Sequence, residues 1–493
     1  MSARDTYDEP EFSPPPVTGK PRIIPADSIP AELLDPDALR VVSRLEHQGF
    51  QAYLVGGCVR DLLIGRPPKD FDVATSAHPR QIKRVFRNGR IIGRRFRLVH
   101  IHYGDHIIET ATFRRDPESS RDSGPGDAEY AIGSDGPVAG RGGIPDDALP
   151  AEQPDFDDLL ITEDNEYGNA EEDARRRDFT VNGLFLDPTR NEILDYVGGL
   201  DDLEAGILRT IGDPMVRIAE DPVRILRAIK FATRLGFRIE DRTWNAIESH
   251  APLLSRSAPP RVLEEILRLL RSGSALGAFR MMRACGALKV LLPQIDRYLG
   301  SKDDAVAQER ADGFWRLLEA LDNDVHGGFV PSTAVCLSLL FLRIVEREAF
   351  ADTRTLPGPP PDLAQVTGEV LDELARETRL PRRDVGRARR ILIQQRRFTQ
   401  PASKRFRPLA FMRSEEFPEA LDLFRLRVAA RGQGWDVYEG WKARYELALD
   451  APAEEVALEG GSAPRARRRR RRRRSPGSGG GGGGRTPDAG SHI

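Results

Sequence analysis

At 493 residues the chain is longer than one hydrophobic core usually fills, so two or more domains are expected. Only three cysteines occur, Cys58, Cys285 and Cys336, widely separated and odd in number, which argues against a disulfide framework and points to a reducing compartment. The net charge of −2 hides an asymmetry between an acidic, glycine-rich stretch over 116–173 and an unbroken arginine run at Arg467–Arg474, and no apolar run reaches bilayer length.

The start, Met1–Pro16, is acidic and proline-rich without an apolar signal segment, so residues 1–30 read as the disordered tail of a cytoplasmic protein. Pro36–His47 has amphipathic spacing and stops at Gly49, which predicts a helix, and Gln51–Val55 follows as a strand. Gly56-Gly57 then turns into a short helix with Val59, Leu62 and Leu63 on its inner face. Asp70–Thr75 is the second strand, and Pro79–Arg87 a helix with proline in its first turn. Arg97–Tyr103 and His106–Phe113 alternate apolar and polar residues about Gly104-Asp105, the pattern of a hairpin. Residues 116–164 lack periodicity and are rich in Gly, Asp and Pro, so a flexible insertion is expected there.

Helical spacing dominates from Val216 onward, through Val216–Leu235, Arg238–His250, Pro260–Leu270, Ala275–Leu288, Ser332–Phe350 and Leu363–Glu377. Arg382–Arg397 is arginine-rich around Ile391-Leu392-Ile393, which suits a basic helix facing RNA. The aromatics Phe411, Phe424, Trp435, Tyr438 and Trp441 read as core. The arginine run, including Arg467, Arg468, Arg469 and Arg470, is followed by Gly479–Gly484; it reads as a disordered tail adding salt-sensitive, sequence-neutral RNA affinity.

The chemistry concentrates near the first glycines. Gly56 and Gly57 let the backbone approach phosphate oxygens, and Arg60 in the following turn is placed to reach a triphosphate. Strand alternation sends Asp70 and Asp72 to one face and Phe71 to the other; paired carboxylates repel unless a cation lies between them, and oxygen ligands of this kind suit Mg²⁺. Glu109, mid-strand among apolar neighbours, either pairs or works. Asp178 reads as a cap or a partner of Arg176 and Arg177, and Asp221 and Arg224 either offer a base-reading edge or form a surface pair at a helix start. His100, His102 and His106 invite a metal-site reading that no cysteine supports.

Leu54–Thr75, LVGGCVRDLLIGRPPKDFDVAT, resembles the signature of the bacterial-type poly(A) polymerase and tRNA CCA-adding nucleotidyltransferases, a polymerase-beta-like family. Ile91–His100, Arg176–Gly183 and Glu220–Ala228 match further blocks in the same order. The resemblance implies an α/β head with a mixed sheet over 31–213, a helical neck over 214–275, a helical body over 276–450 and a tail over 451–493. It implies two Mg²⁺ ions on Asp70 and Asp72, Asp178 in the active-site wall, Arg177 on a nucleotide phosphate, and Asp221 and Arg224 reading the incoming base. The Arg94-Arg95-Phe96-Arg97 block is associated within that family with poly(A) polymerases, with Arg94 and Arg95 on RNA. The expected activity is therefore template-independent addition of AMP from ATP to RNA 3′ ends. A CCA-adding enzyme is the alternative, and a catalytically silent RNA-binding protein the rival from another class.

Overall fold

The computed structural model describes residues 20–93, 97–104, 106–115, 167–301, 304–349, 362–378, 381–399 and 406–450. The head comprises, in chain order, β1 (Arg22–Pro25), α1 (Pro36–His47), β2 (Ala52–Val55), α2 (Gly57–Leu63), β3 (Asp72–Thr75), α3 (Pro79–Val85), β4 (Gly89–Ile92), β5 (Leu98–Tyr103), β6 (His106–Thr112), α4 (Ala170–Arg175), β7 (Leu184–Asp187), β8 (Glu192–Asp195) and α5 (Gly199–Ala205). Its eight-stranded mixed sheet has the order β1-β8-β7-β2-β3-β6-β5-β4. Only β3 and β6 pair in parallel there, which places the end of each beside the same end of the other.

Alternation along β3 separates the two faces. Val73 joins a core with Val41 and Leu45 of α1 and Ile82 of α3, whereas Ala74 joins Tyr53, Phe113 and Phe185 beneath α4. The N-terminal region departs from its expected disorder, because Arg22–Pro25 pairs antiparallel with Glu192–Asp195 and forms a sheet edge. Its apolar-proline composition masked a strand whose partner lies far along the chain. Residues 116–164, the tail 451–493 and the arginines Arg94, Arg95, Arg467, Arg468, Arg469 and Arg470 lie outside the described residues.

A short parallel pair, β9 (Ile207–Leu208) with β10 (Arg238–Ile239), brackets α6 (Pro214–Glu220) and α7 (Arg224–Leu235). The single helix expected over Val216–Leu235 is thus two, because Asp221-Pro222-Val223 interrupts it with an extended residue at Asp221. The helices α8 (Asp241–His250), α9 (Pro259–Leu270), α10 (Ala275–Ala284), α11 (Ala287–Leu291) and α12 (Pro293–Leu299) continue the neck into a body of α13 (Ala305–His326), α14 (Thr333–Ala349), α15 (Leu363–Thr378), α16 (Arg382–Thr399), α17 (Pro408–Met412), α18 (Phe417–Arg431) and α19 (Trp435–Asp450).

In the body, Phe398 stacks on Phe424 at 4.7 Å and meets Trp441 edge-on, while the Trp441 indole N–H donates to the Phe398 carbonyl at 3.2 Å. The aromatics are core as expected, except that Trp435 is 44% exposed. The arginines of α16 divide into two groups, with Arg382, Arg383, Arg396 and Arg397 exposed and three others held by the protein. Arg387 pairs with Glu415 and Glu419, Arg390 with Glu416, and Arg389 donates to the Ala364 carbonyl, while Ile391 and Leu392 are buried. Opposite charges on neighbouring helices absorbed arginines that sequence spacing leaves looking solvated. No helix among the described residues is long and apolar enough to cross a membrane.

Candidate active site

Asp72 opens β3 and Glu109 stands opposite it on β6 in parallel register. Residues in register share a sheet face, so both carboxylates project from the face that carries Tyr53 and Phe185, and both are exposed there. Asp70 precedes the strand and is exposed as well; β3 begins at Asp72, two residues later than expected, while Phe71 packs into the opposite core. The Asp72 carboxyl is pushed up to about 6 by loss of solvent within the recess, by the charge of Glu109 and by that of Asp70, with Arg177 pulling the other way. An oxygen-only set of mutually repelling carboxylates fits a hard divalent cation, whose charge would relieve that crowding. Glu109, which the sequence left undecided, stands in register with Asp72.

Asp178 is held by a different set of partners. It is buried, and burial alone would raise its pKa, but Arg227 and Asn182 outweigh burial and hold it down at about 2. Oδ2 accepts from Arg227 and Oδ1 from the Phe179 N–H and the Asn182 amide. A carboxylate so engaged ties the head to α7. Arg177, one of its expected partners, is held by Asp173 instead.

Arg60 also differs from expectation. Its guanidinium is 2% exposed, donates to Asp61 Oδ1 at 2.6 and 2.9 Å and to Asn182 Oδ1 at 2.6 Å, and lies over the Phe231 ring. It braces α2 from below instead of opening on the cleft. The guanidinium nearest the glycine turn is that of Arg177, whose Nη1 lies 2.9 Å from where a Cβ at Gly56 would stand. Asp173 accepts from Arg177 at 2.9 Å and Phe185 supports it from beneath at 5.2 Å. Gly56 itself has φ +77°, a conformation that leaves the turn to glycine.

Beside Arg177 the positive charge accumulates. Burial pushes the Arg176 guanidinium down to about 9, and the nearby charges of Arg114, Arg177, Arg217 and Arg224 push it the same way. Such a concentration of guanidinium groups next to a glycine turn suits a polyphosphate.

Asp221 and Arg224 do not pair with each other. Asp221 accepts both ends of the Arg261 guanidinium, at 2.7 and 3.2 Å, and Arg224 is buried against Glu220 at 3.2 Å and the Arg217 carbonyl. Glu220 also accepts from Arg217 at 2.9 Å, and Arg217 donates to the Arg176 and Arg177 carbonyls. These partners link the phosphate side of the recess to the turn bearing Asp221. Arg261 as the partner of Asp221 was not legible, since no local pattern joins positions so far apart.

The histidines divide by strand parity. His100 and His102 share the Glu109 face, whereas His106 points to the α1 face and approaches Asp35 and Asp37 at 3.5 and 3.4 Å. A three-histidine site is therefore not formed; among the described residues, Asp35, Asp37 and His106 come together closely enough to hold a cation.

Side-by-side carboxylates at the rim of a mixed sheet, faced by guanidinium groups and a glycine turn, put the head in the nucleotidyltransferase class. Residues 52–209 match the poly A polymerase head domain, 236–299 a probable RNA and SrmB-binding site of polymerase A, and 358–475 the polymerase A arginine-rich C-terminus. Poly(A) polymerase I of Haemophilus influenzae is 34% identical over 431 residues, spanning 86% of this chain and 87% of its own. The Salmonella typhi protein of the same name is 35% identical over 456 residues, 90% of each chain. A CCA-adding enzyme of Lactobacillus delbrueckii is 31% identical over 296 residues, 58% of this chain and 64% of its own. The chain belongs to the poly(A) polymerase family. In fold it is similar to the Bacillus stearothermophilus CCA-adding enzyme crystallised with CTP, with a TM-score of 0.57 at 23% identity over 87% of this chain and 89% of that one.

Proposed function

We propose that the protein adds AMP from ATP to RNA 3′ ends without a nucleic-acid template, releasing pyrophosphate. The observation that carries this reading is the parallel register of Asp72 with Glu109 beside the arginine-lined recess, in a chain aligned over 90% of its length with a poly(A) polymerase I. Asp70, Asp72 and Glu109 would hold two Mg²⁺ ions, which when bound assist ionisation of the attacking hydroxyl and neutralise charge on the triphosphate. Arg177 and the glycine turn bind and orient the β- and γ-phosphates, so that the α-phosphate faces the RNA 3′-oxygen in line with the departing pyrophosphate. Asp221 and Arg224 select adenine by hydrogen bonding; a base of the wrong pattern leaves their polar atoms, those of Arg224 buried, without a partner on the base. Arg94, Arg95 and the Arg467–Arg470 run supply RNA-backbone affinity, and the cytoplasm is the proposed site of action.

The test is extension of a generic single-stranded RNA and of a tRNA lacking its terminal CCA, with Mg²⁺ and each nucleoside triphosphate singly. Long ladders with ATP alone on either RNA are expected. Incorporation of CTP confined to the truncated tRNA would instead make this a CCA-adding enzyme, the reading favoured by the Lactobacillus relative. In the same assay Asp72→Ala is expected to abolish extension while RNA binding survives; undiminished extension by that variant would overturn the metal-site reading.

A further inference from the structure

The row of side chains that begins at Asp72 does not end at Glu109. Glu109 stands opposite His100 on β5, and His100 opposite Arg90 on β4, so Asp72, Glu109, His100 and Arg90 form one rank across neighbouring strands on one sheet face. His100 Nε2 approaches Glu109 Oε1 at 3.4 Å. The imidazole is 25% exposed and the Glu109 side chain 54%, so the ring is the better anchored of the two. On its other flank the ring meets His102 edge-on, centroids 6.5 Å apart.

We propose that His100 is a positioning residue for the metal site: its Nε2–H holds the Glu109 carboxylate in the orientation that faces Asp72. The inference rests on the nucleotidyltransferase reading and deepens it. Glu109 is a long, exposed side chain, and the neighbouring charge of Asp72 repels it. Left to itself it would swing toward solvent. A hydrogen-bond donor on the far side in the same rank counters that tendency, as partners behind ligating carboxylates do in metal sites generally. The 3.4 Å separation is long for a hydrogen bond, as such contacts are before substrate tightens the site. No other residue is in register with Glu109 on β5, so the role is specific to position 100.

The experiment compares wild type, His100→Ala and His100→Gln in the full chain. Mn²⁺ binding is read by electron paramagnetic resonance without substrates, and the Mg²⁺ dependence of single-nucleotide extension is measured alongside. His100→Ala is expected to weaken Mn²⁺ binding and raise the Mg²⁺ half-saturation about tenfold. KM for ATP should stay near wild type once Mg²⁺ is in excess. His100→Gln keeps a side-chain N–H donor and is expected to recover most of the loss. Should His100→Gln, folded by its melting curve, lose as much metal affinity as His100→Ala, or should both bind Mn²⁺ as wild type does, the positioning role is overturned. Those outcomes leave the enzyme reading intact as long as wild type extends RNA and Asp72→Asn does not. Failure of wild type to extend RNA would instead remove the reading on which this one rests.

Discussion

Arg227 of α7 reaches across to Asp178 of the head, donating from Nε to its Oδ2 at 2.7 Å with Nη2 2.6 Å from the same oxygen. The contact continues inward, because Asn182 donates to Asp178 and accepts from Arg60, so one polar chain runs from the glycine-turn helix to the neck. Asp178→Ala leaves the Arg227 guanidinium unmatched and is expected to destabilise the protein by about 3 kcal/mol, read from urea unfolding. Because Arg227 is 35% exposed, water recovers part of its loss and the figure belongs at the low end for a buried pair. The sign of the pH dependence follows from the folded-state value of about 2, below the ordinary one of about 4. The contribution of Asp178 is complete above pH 4 and vanishes as pH falls toward 2, so wild type and variant should converge in stability across that window.

Asp72 makes the opposite prediction. Its carboxyl is raised to about 6, first by loss of solvent and then by Glu109, so the ionised form that binds metal is disfavoured in the folded protein. Above pH 6 its charge costs stability, and as pH falls through 6 protonation relieves that cost and competes with metal. Activity at limiting Mg²⁺ should therefore fall through an apparent pKa near 6 on the acid side, and excess Mg²⁺ should move that limb lower. A Mg²⁺-independent limb would assign it to another group. By the same linkage Mg²⁺ should raise the melting temperature more at pH 7.5 than at 5.5.

The head was legible because its signals are local. The alternation that puts Val73 in one core and Asp72 on the other face is read from adjacent residues, and the glycine turn from two. What escaped depends on partners remote in sequence. Arg60 looks like a phosphate ligand until Asn182, 122 residues away, takes its Nη1. Asp178 shows no partner in its local sequence, and α7 delivers Arg227 from 49 residues on. Arg387 and Arg390 of α16 look solvated until the Glu415–Glu419 segment packs against them. Charge is the property that sequence reading locates well and assigns badly, since Coulomb partners are chosen by the fold and leave no periodicity.

Gly56 and Gly57 separate backbone demand from mere proximity. An alanine at 56 would adopt φ +77° and press its Cβ to within 2.9 Å of Arg177 Nη1, whereas one at 57 would make an ordinary 3.6 Å contact with Arg60 Nη2. Gly56→Ala should cost about 1–3 kcal/mol in stability and raise KM for ATP about tenfold by displacing Arg177. Gly57→Ala should be mild in both. Equal effects, read from thermal melts and ATP titrations, would show that neither the positive φ at 56 nor the closeness of Arg177 sets the demand on the turn.

Arg261 supplies the last test, because it alters Asp221 without removing it. Both guanidinium ends meet the Asp221 carboxylate, at 2.7 and 3.2 Å, so Asp221 is held from α9 while Arg224 is held separately by Glu220. Base choice that depends on two hydrogen-bonding groups in a fixed relation degrades when either one can rotate. Arg261→Ala should therefore lower the ATP-over-CTP ratio of kcat/KM about tenfold, the worth of one hydrogen bond to a charged group, with little change in pyrophosphate release once ATP saturates. Arg261→Lys, a point charge that cannot grip both oxygens, should fall between wild type and alanine. If Arg261→Ala instead lowered kcat/KM equally for both nucleotides, Arg261 would act on the phosphates or the RNA, and the selection of adenine would have to rest on Arg224 and its buried partners alone.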